Sequence, residues 1–155
     1  MNCVLILHNI RSVLNVGAIF RTADAVGVSK ICLTGYTPAP LDRFGRPRSD
    51  LHKVALGAEN LVPWEIYENI NKLIHDLQLK KYEVLALEQD SRAIDYKKCT
   101  PTKNFALVVG NEVEGTPKEI FDLCDQIIEI PMRGKKESLN VSVATGIALF
   151  RLLDP

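Results

Sequence analysis

No stretch of this sequence is apolar for long enough to cross a bilayer, no two cysteines stand at C-x-x-C spacing, and acidic and basic residues cancel to zero net charge. Each absence removes a class of function. A membrane span needs roughly 20 consecutive apolar residues. The first apolar run, inside MNCVLILHNIRS, is too short for a secretory signal and has no basic residue ahead of it. Cys3, Cys32, Cys99 and Cys124 are scattered and no histidine lies at zinc-finger spacing. No metal site is therefore expected, and the thiols read as small core residues in a reduced, cytoplasmic setting. Zero net charge argues against coating nucleic acid by bulk attraction, so any polyanion must meet a local patch. Also missing are the GK[ST] ending of a P-loop, a GxGxxG dinucleotide fingerprint and a GxSxG nucleophile elbow.

What is present is periodic. CVLILH, KICLTG, YEVLALE, NFALVVG and QIIEIPM are short runs rich in Val, Ile and Leu on both faces, as strands of a covered parallel sheet require. Helical periods separate them, at Val16 to Val26, Pro63 to Leu79, Pro117 to Cys124 and Val141 to Leu153. The alternation predicts an α/β domain with a mostly parallel sheet and helices on both faces, and 155 residues fit one such unit. Thr37 to Glu59 lacks periodicity and reads as a long loop. Its Arg43, Arg46, Arg48, His52 and Lys53 form either a solvated surface or a polyanion contact.

Three segments could carry chemistry. In NVGAIFRTADAVG, Asn15 suits a helix N-cap and Gly27 a helix end, while Val16, Ile19, Phe20, Ala23 and Val26 share one stripe. Arg21 falls nearly opposite that stripe, above an expected side-chain-poor clearing at Gly17 and Ala18. It pairs with Asp24 at i+3, or it joins the helix N-terminus in an anion site; the helix alone leaves both open. In LVVGNEVEGTPKEI, glycines let the backbone approach a ligand, and Thr116 is expected to cap the following helix. Glu112 and Glu114 there suit a hydroxyl, an amine or a partner arginine better than a phosphate, although a plain tight turn fits as well. In IPMRGKKESLNVSVATGIALFRLL, Ser138 or Asn140 can cap a last helix that is apolar around most of its circumference. Such a helix must be covered on two sides, which predicts a twofold homodimer or deep burial within one chain.

Taken together, NVGAIFRTADA, GNEVEG and IPMRGKKESLNVSVA, with KVALGAE between the first two, resemble the SpoU (TrmH-like) branch of the SPOUT RNA methyltransferases over essentially the whole chain. The resemblance implies a C-terminal trefoil knot, a homodimer, and transfer of a methyl group from S-adenosylmethionine to a ribose 2′-hydroxyl of RNA. By motif it assigns catalysis to Asn15, Arg21, Glu112 and Asn140, and cofactor binding to Leu87, Gly110, Ile130, Met132, Ser138 and Leu139. Leu87 is matched by position rather than by motif. Arg21 is expected to clamp an RNA phosphate and stabilise charge on the ribose oxygen, since a guanidinium is a poor base. RNA contacts are expected from Arg21, Arg43, Arg46, Arg48 and Lys53, with tRNA favoured over rRNA. Residues 1–155 are expected to form a single SpoU-type domain without a separate RNA-binding extension. The competing expectation is a catalytically silent RNA-binding or assembly module.

Overall fold

Residues whose side chains are apolar on both sides of a strand end up in a sheet that is covered on both sides. In the computed structural model, which describes residues 1–154, seven strands pair exclusively in parallel. They are β1 (Cys3–His8), β2 (Lys30–Thr34), β3 (Trp64–Tyr67), β4 (Glu83–Leu87), β5 (Ile94–Asp95), β6 (Phe105–Val109) and β7 (Gln126–Glu129), in the order β3-β2-β1-β6-β4-β7-β5. Leu5, Leu7, Ile31, Leu33 and Leu107 face one core with helices α1 (Val13–Val26), α2 (Ser49–Ala55) and α5 (Val141–Leu153). Val4, Ile6, Cys32, Val84 and Val108 face the other, with α3 (Ile70–Leu79) and α4 (Lys118–Phe121). The period of two along each strand thus divides the apolar side chains between two layers of helices, as expected.

Some expectations needed correction. Pro63 to Leu79 is not one helix. Trp64–Tyr67 pairs with β2 as an edge strand, and Asn69 opens α3 by accepting a bond from Lys72 N at 3.0 Å. Thr37 to Glu59 is not wholly loop either, because Leu51 and Ala55, one turn apart, are buried and fold Ser49–Ala55 into α2. A short 3-10 turn follows at Ala58–Asn60. Helix α1 begins two residues before Asn15. Its cap is Ser12, whose side chain accepts from Asn15 N at 3.2 Å, while Gly27 ends it as expected. Thr116 does not cap α4, which follows Pro117 without a side-chain cap.

Gly17 also differs from expectation. It does not lie in an open clearing below Arg21, because α2 packs directly on it. A Cβ there would stand 2.9 Å from the Leu51 carbonyl oxygen and 3.0 Å from Val54 Cβ. The missing side chain lets two helices touch through their backbones.

Cys3, Cys32 and Cys99 are buried and Cys124 is half-buried, all as free thiols; burial pushes Cys3 and Cys124 up to about 12. Among the described residues no cluster of metal-ligating side chains occurs, and no helix is long and apolar enough to cross a membrane.

The α1–α2 contact reverses an ordinary rule. Gly to Ala in a helix interior normally stabilises by about 0.5–1 kcal/mol. Here Gly17→Ala is expected to destabilise by about 1–3 kcal/mol through overpacking. Urea unfolding of the variant measures this, and an unchanged or higher midpoint would contradict the contact.

Candidate active site at the strand ends

The carboxyl ends of β6, β4 and β7 lie side by side, and the loops leaving them enclose a cavity of about 390 Å³. That volume suits a small organic ligand, and in open α/β sheets the crevice outside the strand ends is where ligands bind. Leu87 comes from the end of β4, Val109 and Gly110 from the end of β6, and Ile130 and Met132 from the chain after β7. Ser138, Leu139, Val141 and Ala144 come from the entry to α5. All six residues expected at the cofactor, Leu87, Gly110, Ile130, Met132, Ser138 and Leu139, line this one space.

Glu88 and Glu137 also line it and were not foreseen. Glu88 accepts from Thr116 N at 3.3 Å and Gln89 N at 3.0 Å, and so ties the loop after β6 to the end of β4. Gly110 makes room for that loop as much as for a ligand, since a Cβ there would lie 2.1 Å from Thr116 Oγ1. With Glu112, three carboxylates border the cavity, and no lysine or arginine lines it. Such a lining repels phosphate and favours a cation.

Three of the four residues assigned to catalysis meet beside the cavity. Glu112 Oε1 accepts from Asn15 Nδ2 at 3.1 Å and from Ser12 N at 3.2 Å, and Oε2 accepts from Arg11 N at 3.1 Å. Asn15 Oδ1 in turn accepts from Asn140 Nδ2 at 3.1 Å. Asn140 is also the cap of α5, its oxygen accepting from Ser142 N and Val143 N, as expected for Ser138 or Asn140. Burial pushes the Glu112 carboxyl up. The hydrogen bonds from its own amide, Arg11, Asn15 and Ser12 outweigh this and leave it below the ordinary glutamate range.

Arg21 stands apart. It is exposed, has no ion pair among the described residues, and does not line the cavity. Asp24 does not hold it.

The basic loop is less free than its composition suggests. Arg46 pairs with Asp42 at 3.0 Å, and Arg48 bonds both oxygens of Asp50 at 3.2 and 3.0 Å. His52 is bound to buried Glu59, and the guanidinium groups of Arg43 and Arg46 lie 4.8 and 4.9 Å from the Phe44 ring centre. Lys53 is exposed. Further cations without a carboxylate partner lie within IPMRGKKESLNVSVA, at positions that were not expected to meet RNA. Arg133, Lys135 and Lys136 are exposed on the loop that walls the cavity, with no ion pair among the described residues.

This fold and cavity define an α/β protein with a ligand-sized cavity at its strand ends. The SpoU rRNA Methylase family matches residues 2–150, and the chain belongs to that family. It is similar to the 23S rRNA (guanosine-2'-O-)-methyltransferase RlmB of Pasteurella multocida, 36% identical over 151 residues that cover 97% of this chain and 59% of that protein. The protein of the same name from Haemophilus influenzae is 36% identical over 152 residues, 97% of this chain and 58% of that one. The chain thus spans less than two thirds of the length of these curated relatives. Among solved structures, the TrmH/SpoU tRNA modifying enzyme of A. aeolicus superposes with a TM-score of 0.86 at 29% identity, covering 98% of this chain and 74% of that one. An AdoMet-bound rRNA methyltransferase from Sinorhizobium meliloti gives 0.83 at 28% identity, with 97% and 55% covered.

The depressed Glu112 pKa has a pH consequence. A carboxyl held below its unfolded value stabilises the fold fully above that value, and the contribution is lost as pH falls through the folded one. Glu112→Gln is expected to lower stability near neutrality and to flatten its acid limb. Denaturant titrations from neutral to acid pH measure this, and an acid slope as steep as that of the unaltered protein would refute the network.

Proposed function

We propose that this protein transfers a methyl group from S-adenosylmethionine to a ribose 2′-hydroxyl of RNA. The observation that carries the proposal is the cavity: apolar walls from Leu87, Val109, Ile130, Met132 and Leu139, a carboxylate border, and no cationic side chain. That donor set fits S-adenosylmethionine, whose adenine takes the apolar wall and whose sulfonium and ammonium groups are drawn to Glu88, Glu112 and Glu137. When bound, the cofactor supplies an electrophilic methyl carbon. The chain's residues then have to hold the ribose oxygen in line with it, which is where most of the acceleration in such a displacement arises. The Glu112–Asn15–Asn140 bridge fixes the loop after β6, the start of α1 and the start of α5 against one another. Arg21 clamps a backbone phosphate and stabilises negative charge on the attacking oxygen, an RNA phosphate accepting the proton.

Arg21 does not line the cavity of its own chain, so it serves the cavity of a second copy. Helix α5 supports this arrangement, because Val143, Ile147 and Phe150, at successive turns of one face, remain 50%, 37% and 52% exposed while Thr145, Ala148, Leu149 and Leu152 are buried. A homodimer through α5 covers that face. The expectation of deep burial within one chain fails on the same three residues.

The RNA is assigned as ribosomal. The earlier preference for tRNA gives way because relatives at 36% identity are named 23S rRNA methyltransferases, although the A. aeolicus structure is named a tRNA modifying enzyme. Arg43, Arg46, Arg48 and Lys53 contribute phosphate contacts, joined by Arg133, Lys135 and Lys136. We further propose that residues 1–155 are one catalytic domain, and that the chain from β6 to α5 is threaded as a trefoil knot, a reading supported by the TM-score of 0.86 to the TrmH/SpoU structure. An RNA substrate supports a cytoplasmic setting. A second reading, an RNA-binding module without catalysis, draws on the absence of Arg21 from the cavity.

Calorimetry separates these readings. S-adenosylmethionine is expected to bind one per chain, and Arg21→Ala to keep that affinity while losing about 100-fold or more of methyl transfer to rRNA. RNA binding without cofactor binding would favour the silent module, and full activity of the variant would refute the role of Arg21. For the dimer, Ile147→Asp is expected to give a monomer by sedimentation that binds S-adenosylmethionine but transfers no methyl group; an unchanged dimer would exclude α5 as the interface.

A further inference from the structure

The stretch LDRFGRP, between β2 and α2, folds into a small hairpin with an aromatic ring at its tip. Leu41 and Pro47 close it as an antiparallel bridge. Asp42 ties it from within. Its amide donates to the Arg46 carbonyl at 2.8 Å, its carbonyl accepts from Gly45 N at 2.9 Å, and its Oδ1 accepts from Phe44 N at 2.8 Å and from Arg46 N at 3.0 Å. Gly45 takes the left-handed conformation, at φ 75°, that so short a turn needs. The backbone under Phe44 is therefore held, yet the residue remains 66% exposed.

Single exposed apolar side chains are common; the surroundings of this one give it a direction. The guanidinium groups of Arg43 and Arg46 lie 4.8 and 4.9 Å from its ring centre. Arg46 also donates through Nε to Asp42 at 3.0 Å, whereas Arg43 is exposed and has no ion pair among the described residues. A ring beside two guanidiniums is a poor seat for an apolar partner, which would strip water from both charges. It suits a ligand that is flat and carries negative charge close by, as a nucleobase does beside its phosphates. The hairpin leads straight into α2, and α2 packs on α1 at Gly17, one turn before Arg21. Phe44 thus belongs to the same helical layer as the residue assigned to the RNA phosphate.

We infer that Phe44 is a stacking platform for an unpaired nucleobase of the RNA, outside the cofactor cavity, with Arg43 meeting an adjacent phosphate and Asp42 holding the tip rigid. A phenyl face carries no donor or acceptor with which to tell one base from another. The contact therefore selects unpaired nucleotides rather than a sequence, because an internal base of a duplex is already stacked on both faces. The inference deepens the methyltransferase reading, on which its choice of RNA rests. Neither Phe44 nor Asp42 lines the cofactor cavity.

Fluorescence anisotropy at low salt tests this on the intact protein, with a labelled RNA dodecamer free of self-pairing and the same dodecamer annealed to its complement. Phe44→Leu keeps an apolar side chain but removes the ring. It is expected to weaken the single strand about fivefold or more, as loss of one stacked base does, and the duplex by less than about twofold. Phe44→Trp is expected to restore the single-strand affinity. The fluorescence of a 2-aminopurine placed mid-strand is expected to fall on binding the unaltered protein and to fall less with Phe44→Leu. Equal loss on both RNAs, no RNA binding by the unaltered protein, or indifference of both RNAs to Phe44→Leu overturns the platform, the last leaving the ring to a protein partner. Cofactor calorimetry keeps the two readings apart. S-adenosylmethionine binding with no effect of Phe44→Leu on RNA removes only the platform, whereas a ring-dependent single-strand preference without cofactor binding removes the methyltransferase reading and leaves the platform in place.

Discussion

Three segments that are far apart in sequence converge on one carboxylate. Glu112 receives the amides of Arg11 and Ser12 and the side-chain amide of Asn15, and Asn15 receives Asn140. Because Glu112 takes up free amides at the entry to α1, it does the work of a helix cap from 100 residues away, judged by its separation from Ser12. Asn140 does the same locally for α5 and spends its remaining donor on Asn15. Two helix starts and one strand-end loop are therefore fixed by a single polar chain, and the cavity is the space they leave. Replacing any member would release two elements at once, which is the sense in which the site and the fold share their supports.

The cofactor residues were assigned through the family resemblance rather than from local pattern, and the fold explains why they meet. Leu87, Gly110, Ile130, Met132, Ser138 and Leu139 lie together because each marks the end of an apolar strand run or the entry to a helix, and parallel strands bring such ends to one edge of the sheet. The inner stripe of α1 and the cap of α5 follow from spacing in the same way. What escaped notice depends on contacts across the chain. Ser12 and Asn15 are both sound caps, and only Glu112, far away in sequence, decides that Asn15 turns outward as a linker. Gly17 looked like an opening until α2 occupied it. Trp64–Tyr67 alternates weakly and is nearly continuous with a helical period, so pairing with β2 alone distinguishes it as a strand. Glu88 and Glu137 belong to no motif, and enter the site only because the loops fold them toward it.

Charge is divided over this surface in a way that zero net charge conceals. The cavity border is acidic, whereas the cations lie outside it and fall into two kinds. Arg46 and Arg48 are held by Asp42 and Asp50, and the first also lies near the ring of Phe44. Arg133, Lys135 and Lys136 have no such partners among the described residues. A phosphate approaching the first group must compete with a carboxylate already in place, so the net gain is small and depends on geometry. One approaching the second gains the full attraction, screened only by salt. Under the proposed function, long-range pull on a polyanion would come from cations without a carboxylate partner, such as Arg133, Lys135 and Lys136, more than from Arg46 and Arg48.

The same division bears on how two ligands of opposite charge could share one small protein. A cationic donor and a polyanionic acceptor attract each other in water, and a site lined by mixed charges would bind either in either place. Here Glu88, Glu112 and Glu137 disfavour phosphate in the cavity, where no lysine or arginine offsets them. Under the proposed function, methyl transfer would turn the sulfonium into a neutral sulfide, and a carboxylate border would attract the product less than the donor.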